Sequence, residues 1–535
     1  MEFKFGGSEH NQRTVLGHPA GLFVLFFTEM WERFSYYGMR ALLVLFLTAS
    51  LMEEGWGWER QDALILYGWY IGLVYVTPIF GGLIADKLLG YRNAVVWGAL
   101  VMTLGHASMA LEGFTDNFFY LGLILLILGN GLFKPNISSI VGQLYKTDDK
   151  EKDAGYTIFY MGINAGAFLG ILLCGYIGEN IGWHWGFGLA GVFMFFGMLQ
   201  FYFGQKIFGE IGLKTTKEID YVDQKTIKGE VKSEGGGKFK SEEPEKKTEV
   251  SAGVKGDRIL VISVFALFTI FFWWAFEQAG GSMTIFAADY TDRVLVGSGA
   301  YTFKIINAII TIVPLLVITY VLGLLFKQTF GSFAKSNTFL GISFFIIWGI
   351  VIYILYREFI ADASEVPASW FSVLNSLFII LFAPLFSKIW ESRFNPTGPV
   401  KFGIGLILLG VGFGALAYGA SGIPQGAQVA SVSMIWLILA YFFHTIGELC
   451  VSPVGLSYVS KLSPPKLVGL MFGIWFMANS LAGILGGYTG GYIDAISEEY
   501  SLSVFFLIFT SIPILMGLIM IAINKFLVKK MHGIR

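Results

Sequence analysis

Long apolar runs, separated by short polar loops, alternate along almost the whole 535-residue chain. They fall near 19–49, 63–84, 94–112, 118–145, 154–178 and 183–208, and then near 258–290, 301–327, 337–357, 368–391, 400–420, 431–460, 467–492 and 502–526. Runs of about 20 residues are long enough to cross a bilayer as helices. They are continuous rather than alternating, which excludes a closed β-barrel. The pattern predicts an all-α polytopic membrane protein of about fourteen helices. The first 17 residues are polar, and the run from Pro19 is too long for a signal h-region, so no cleavable signal peptide is expected.

One long stretch breaks the pattern. Residues 209–257, with the segment KSEGGGKFKSEEPEKK, are rich in Lys, Glu and Gly. Low hydrophobicity with mixed charge reads as a solvated linker. It divides the chain into a six-helix bundle at 1–208 and a second bundle at 258–535 carrying an extra helix pair at about 301–357.

Composition agrees: 55% of residues are hydrophobic and 14% charged, against roughly 25% charged in soluble domains. With a net charge of −1 and no separate basic domain, no nucleic-acid partner is expected. Cys174 and Cys450 both lie in apolar runs, which argues against a disulfide framework or a paired-cysteine metal site. Short-loop lysines and arginines set the orientation. With a cytoplasmic N-terminus, the inner loops hold Lys87, Arg92, Lys146, Lys150, Lys152, Lys327, Lys335, Lys388, Arg393, Lys401, Lys461, Lys466, Lys525, Lys529 and Lys530. Outer loops are acidic or neutral, with Arg60, Arg293 and Arg357 as exceptions. Both termini are expected in the cytoplasm.

Charges inside a span cost at least about 2.5–3.5 kcal/mol each, so they are normally paired and functional. The first span carries Glu29, Glu32, Arg33, Tyr36, Tyr37 and Arg40, all on one helical face. Trp31, Phe34 and Met39 face the other way, suited to lipid or to packing. Arg33 lies within a turn of both glutamates and partly neutralises them. At about 1.5 Å per residue, Glu29 and Lys134 both lie roughly 15 Å from the cytoplasmic ends of their helices, and Arg40 and Glu277 both roughly 30 Å. Two opposite-charge pairs are expected at those depths, Lys134 with Glu29/Glu32 and Arg40 with Glu277. They suit two gates across one cavity.

Tyr441, His444, Glu448 and Ser452 share a face of the span at 431–460. His444 and Glu448 are one turn apart, but no further ligands converge, so no metal site is expected. A hydrogen-bonded pair beside a solute cavity and a packing histidine are the two readings. With no nucleophile–base set, metal cluster or cofactor motif, the chain is not expected to be an enzyme.

Read together, these residues resemble the proton-dependent oligopeptide transporter (POT/PTR) family of the major facilitator superfamily. The segment Glu29-Met-Trp-Glu32-Arg33-Phe-Ser-Tyr36-Tyr37-Gly38 is similar to the family's E-x-x-E-R-F-x-Y-Y-G signature. GGLIADKLLGYR at 81–92, GNGLFKPNIS at 129–138, FYMGINAGAF at 159–168, FEQ at 276–278, LNSLFI at 374–379 and GELCVSPVGLS at 447–457 resemble further family segments. The resemblance implies the major facilitator fold and a bacterial-type symporter bringing di- and tripeptides into the cell. It also implies a functional monomer in the bacterial inner membrane, with the proton as coupling ion and no cofactor. Glu29, Glu32, Arg33, Lys134 and Glu277 would couple protons. Arg40 and Lys134 would receive the peptide carboxylate, with Tyr36, Tyr37 and Tyr75 lining the pocket. Glu448, with Asn164 and Asn375, would hold the amino group, and Trp475 would border the side-chain pockets. The alternative is a carrier of another small solute, nitrate or a peptide-like drug; nitrate carriers often lack the full double-glutamate signature. Two features depart from the family. Gly68 stands where mammalian members carry a histidine, and the extra pair follows the glutamate-bearing helix rather than preceding it.

Overall fold

The computed structural model describes residues 3–146, 151–214, 252–393, 395–464 and 467–534. Residues 215–251 of the expected linker, Lys150 and Lys466 lie outside the described residues. The first set of helices is α1 (Ala20–Thr48), α2 (Arg60–Ile84), α3 (Tyr91–Met109), α4 (Asp116–Gln143), α5 (Glu151–Asn180) and α6 (Trp183–Gly204). α7 (Ala252–Phe276) then breaks into a 3-10 turn at Glu277–Gly280 and resumes as the short α8 (Ser282–Ile285). α9 (Gly297–Thr329) and α10 (Ala334–Ile360) form a hairpin. After it come α11 (Val373–Glu391), α12 (Gly398–Gly419), α13 (Ile435–Leu462), α14 (Val468–Gly491), α15 (Ile493–Glu499), α16 (Leu502–Ala522) and α17 (Asn524–Lys530).

Among the described residues, 12 helices are long and apolar enough to cross a membrane. α1 and α3 have the length as well, with 29 and 19 residues, which brings the total to fourteen. α1 is less apolar than these because Glu29, Glu32, Arg33 and Arg40 lie inside it. The spans alternate between two faces. One bears the termini and the lysine-rich loops; the other is poor in lysine.

α1 is buried on nearly every side by α5, α6 and the hairpin. Trp31, Phe34 and Met39 have no exposed surface, which decides between the two expected readings: that face packs on protein and does not meet lipid. Trp31 stacks on Phe193 of α6 with centroids 4.8 Å apart and meets Phe344 of α10 edge-on at 5.6 Å. Such aromatic pairs add about 0.5–1.5 kcal/mol each beyond area burial. On the α5 side a Cβ on Gly170 would sit 2.2 Å from the Phe34 carbonyl oxygen, so only glycine permits this approach of the two backbones.

α2 packs on α14 and so joins the first set of helices to the last. At Gly68 a Cβ would lie 2.7 Å from the Gly487 Cα and 2.9 Å from the Gly483 carbonyl oxygen. No imidazole fits there. The glycine at this position belongs to a backbone-to-backbone contact.

The α9–α10 hairpin is closed at its lysine-poor base by antiparallel pairing of Val294–Leu295 with Ser364–Glu365. Its body reaches back onto the first set of helices. Ser336 Oγ donates to the Gln200 carbonyl at 2.6 Å, and Phe339 stacks on Phe203 at 5.5 Å.

Candidate functional site

The polar stripe of α1 forms two clusters at different depths. In the lower one, Arg33 Nε lies 3.0 Å from Glu29 Oε1 and also contacts Glu32 Oε2. All three residues are at most 3% exposed. The other oxygen of Glu32 accepts from Asn130 Nδ2 of α4 at 2.9 Å. Sequence reasoning passed over Asn130, which sits one turn before Lys134; a polar residue at that spacing inside a span was the available signal.

The expected pairing of Lys134 with Glu29 or Glu32 is not made. Lys134 is half-buried, and its Nζ lies over the ring of Tyr75, 5.1 Å from the centroid. The reason is local. Arg33 lies on the same helix as both glutamates, within one turn of each, and its Nε sits between the two carboxylates.

In the upper cluster, Arg40 Nη2 contacts Glu277 Oε2. Tyr67 Oη binds both partners: it accepts from Arg40 Nε at 2.9 Å and donates to Glu277 Oε2 at 3.2 Å. Glu277 is 3% exposed and stands at the first residue of the break after α7. Discontinuous helices of this kind line the central sites of transporters. Tyr441 Oη donates to the Ala279 carbonyl in the same break at 3.1 Å.

Tyr36 and Tyr37 lie between the clusters, their rings edge-to-face at 5.0 Å. Across from them, Asn375 Nδ2 of α11 donates to Glu448 Oε2 of α13 at 2.9 Å. Trp475 is buried against Gly455 of α13, where a Cβ would meet its ring at 2.4 Å. Asn164 donates to the Tyr160 carbonyl of its own helix at 3.1 Å and does not join Glu448. Nor does His444. Its ring packs on Phe413, centroids 4.4 Å apart, in space left by Gly412. The packing reading of that histidine is the one the structure supports.

Above the Arg40 cluster, at the lysine-poor face, polar contacts tie the helices together around a cavity of about 1050 Å³. Arg60 of α2 lies 2.7 Å from Asp289 Oδ2 and 2.6 Å from Asp494 Oδ1. Glu179 of α5 accepts from the backbone N–H groups of Ala368 and Ser369 at 2.7 and 3.0 Å. Arg293 pairs with Glu365 at 3.0 Å. Arg60 and Arg293 broke the loop charge bias, and each is spent on carboxylates. Among the described residues, the ion pairs joining the first set of helices to the later ones, Arg40–Glu277, Arg60–Asp289 and Arg60–Asp494, lie toward this face. Toward the lysine-rich face α5 exposes Tyr160 and Met161, and α11 exposes Leu381 and Leu385. The ion-pair ties between the first helices and the later ones gather at the lysine-poor end.

Comparison with known proteins agrees with this geometry. The POT family model matches residues 92–322 and 342–522. The peptide transporter YePEPT of Yersinia enterocolitica is 32% identical over 88% of this chain and 87% of its own length. A di-/tripeptide transporter of Lactococcus lactis is 30% identical over 98% and 99%. Among solved structures, a peptide transporter POT in complex with sulfate superposes with a TM-score of 0.73 at 28% identity, covering 98% of both chains. A POT family transporter in complex with 5-aminolevulinic acid gives 0.72 at 25%, covering 96% and 97%. The chain belongs to the POT family. It is a multi-pass membrane transporter of the major facilitator type and not an enzyme.

Proposed function

We propose that the protein imports di- and tripeptides together with protons by alternating access. It would sit in a bacterial inner membrane with both termini in the cytoplasm, so that the ion-paired lysine-poor face is the outer one. The observation that carries this reading is the buried Glu29–Arg33–Glu32 cluster. Two carboxylates share one guanidinium in a nearly dry site, so charge balance needs one more positive charge. A proton or the Lys134 ammonium can supply it, and the cost of an unpaired buried charge makes the choice sharp. When a proton does so, Lys134 is free to bind a peptide carboxylate alongside Arg40. Tyr36, Tyr37 and Tyr75 would line the pocket, and Trp475 would border it. Asn375 and Asn164 would assist Glu448 with the amino group, and Glu277 would couple proton binding to release of Arg40. Fixed charges of opposite sign at the two ends select a zwitterion of limited length. The relatives named as peptide transporters support the same substrate class.

Two measurements test this. In proteoliposomes with an acid exterior and a negative interior, labelled dialanine should accumulate and be competed by di- and tripeptides but not tetrapeptides. Equal competition by tetrapeptides, or no response to the gradient, would overturn the reading. Glu448→Gln removes the anion facing the peptide ammonium. Hydrogen bonds to charged groups contribute about 1.5–3 kcal/mol, so affinity for free dipeptides should fall roughly tenfold or more. N-acetylated dipeptides should be little affected; an equal loss for both would remove the amino-group role.

A further inference from the structure

A cavity of about 670 Å³ lies at the lysine-rich face, lined by none of the residues of the Arg33 and Arg40 clusters. It is bounded by the start of α3, the end of α6 with the turn that follows it, and the α9–α10 turn. Its cationic lining is Arg92, Lys206 and Lys335, and no carboxylate lines it. Tyr202, Phe203 and Phe333 supply the aromatic wall.

The three cations are differently held. Arg92 is 5% exposed, and its Nη atoms donate to the carbonyls of Gln205 and Gly209 at 2.8 and 2.7 Å. Its Nε, equally buried, has no hydrogen-bond partner among the described residues. Lys206 and Lys335 are exposed at the rim and form no ion pair among the described residues. Lys335 Nζ lies 5.6 Å from the centroid of the Phe203 ring. Tyr202, 52% exposed beside them, has the place and chemistry of an interfacial aromatic anchor.

We propose that this cavity binds the phosphate of an anionic phospholipid headgroup from the adjacent leaflet. Basic pockets between spanning helices on the cytoplasmic side are suited to such headgroups. The concave shape suits a tethered phosphate better than a flat basic surface would. One wall is the α9–α10 turn and the opposite wall is the first set of helices. Close to this turn the two are held by the Ser336–Gln200 hydrogen bond, the Phe203–Phe339 stack and a hydrogen bond from Arg13 to the Gln328 carbonyl at 2.6 Å. A bound phosphate would bridge the walls and hold the hairpin to the first helices. This goes beyond the transport reading and does not depend on the identity of the transported solute.

The test is native mass spectrometry of the purified full-length protein titrated with phosphatidylglycerol or phosphatidylcholine. Thermal unfolding by tryptophan fluorescence is followed in parallel. Wild-type protein should retain phosphatidylglycerol in preference to phosphatidylcholine and unfold at higher temperature with it. Lys206→Gln/Lys335→Gln should weaken that binding by roughly fivefold per lysine, while keeping the lipid-free unfolding midpoint, since both side chains are exposed. Lys525→Gln/Lys529→Gln removes the same charge elsewhere on this face and should leave the binding unchanged. Equal retention by the two double variants would overturn the site. Stabilisation reproduced by millimolar inorganic phosphate alone would assign a soluble anion instead and overturn the lipid source.

Discussion

Glu32→Gln is expected to collapse concentrative uptake while leaving exchange intact. With one pH unit and 100 mV across the membrane, a single proton carries about 3.7 kcal/mol, roughly a 500-fold accumulation ratio for a neutral dipeptide. Glu32 is completely buried, with one oxygen in ion contact with Arg33 and the other accepting a hydrogen bond from Asn130. Glutamine keeps the shape and one acceptor but cannot cycle a proton. The accumulation ratio should therefore fall to about one, while counterflow of labelled against unlabelled dipeptide stays within a few-fold of wild type. Glu29→Gln should behave similarly, since Arg33 would then face one carboxylate instead of two. Either variant still accumulating dipeptide against its gradient would remove that residue from coupling.

Arg40→Met is expected to open the lysine-poor face and stop transport. It leaves Glu277 buried beside Tyr67 without its cation, and breaking a buried pair from one side costs about 3–5 kcal/mol. That cost falls on the closed state, because Arg40 and Glu277 belong to helices that must separate on that side. Amide hydrogen exchange in 277–296 and 361–372 should accelerate markedly in Arg40→Met. In Arg40→Met/Glu277→Gln it should return most of the way, because the orphaned charge is gone. Transport should remain absent in both variants if Arg40 also receives the peptide carboxylate. Identical exchange in the single and double variants would show that the pair does not hold the gate. Recovery of transport in the double variant would separate Arg40 from the substrate.

Some of this site was legible in the residue order and some was not. Helical spacing places Glu29, Glu32, Arg33, Tyr36, Tyr37 and Arg40 on one stripe. The rise per residue also puts Arg40 and Glu277 at one depth, where they meet in the structure. The same counting put Lys134 level with the glutamates, yet Lys134 lies over Tyr75 and Asn130 takes the contact with Glu32. Depth along an axis fixes height; it does not fix the rotation of one helix against another. Tyr67 was missed for that reason, since nothing in its apolar surroundings in α2 marks it as a bridge between Arg40 and Glu277.

The sequence alone determined the membrane class, the number of spans and the position of the buried charges. Bilayer thickness and the cost of buried charge act on each segment separately, so a single strand of text contains them. Tertiary packing decided the rest. It determined which cation neutralises which carboxylate, and that Trp31, Phe34 and Met39 meet protein rather than lipid. It also determined that Gly68 serves a backbone contact, and that the inserted hairpin lies against the first helices. Those outcomes depend on how helices distant in sequence turn toward one another, and hydropathy averages over that rotation.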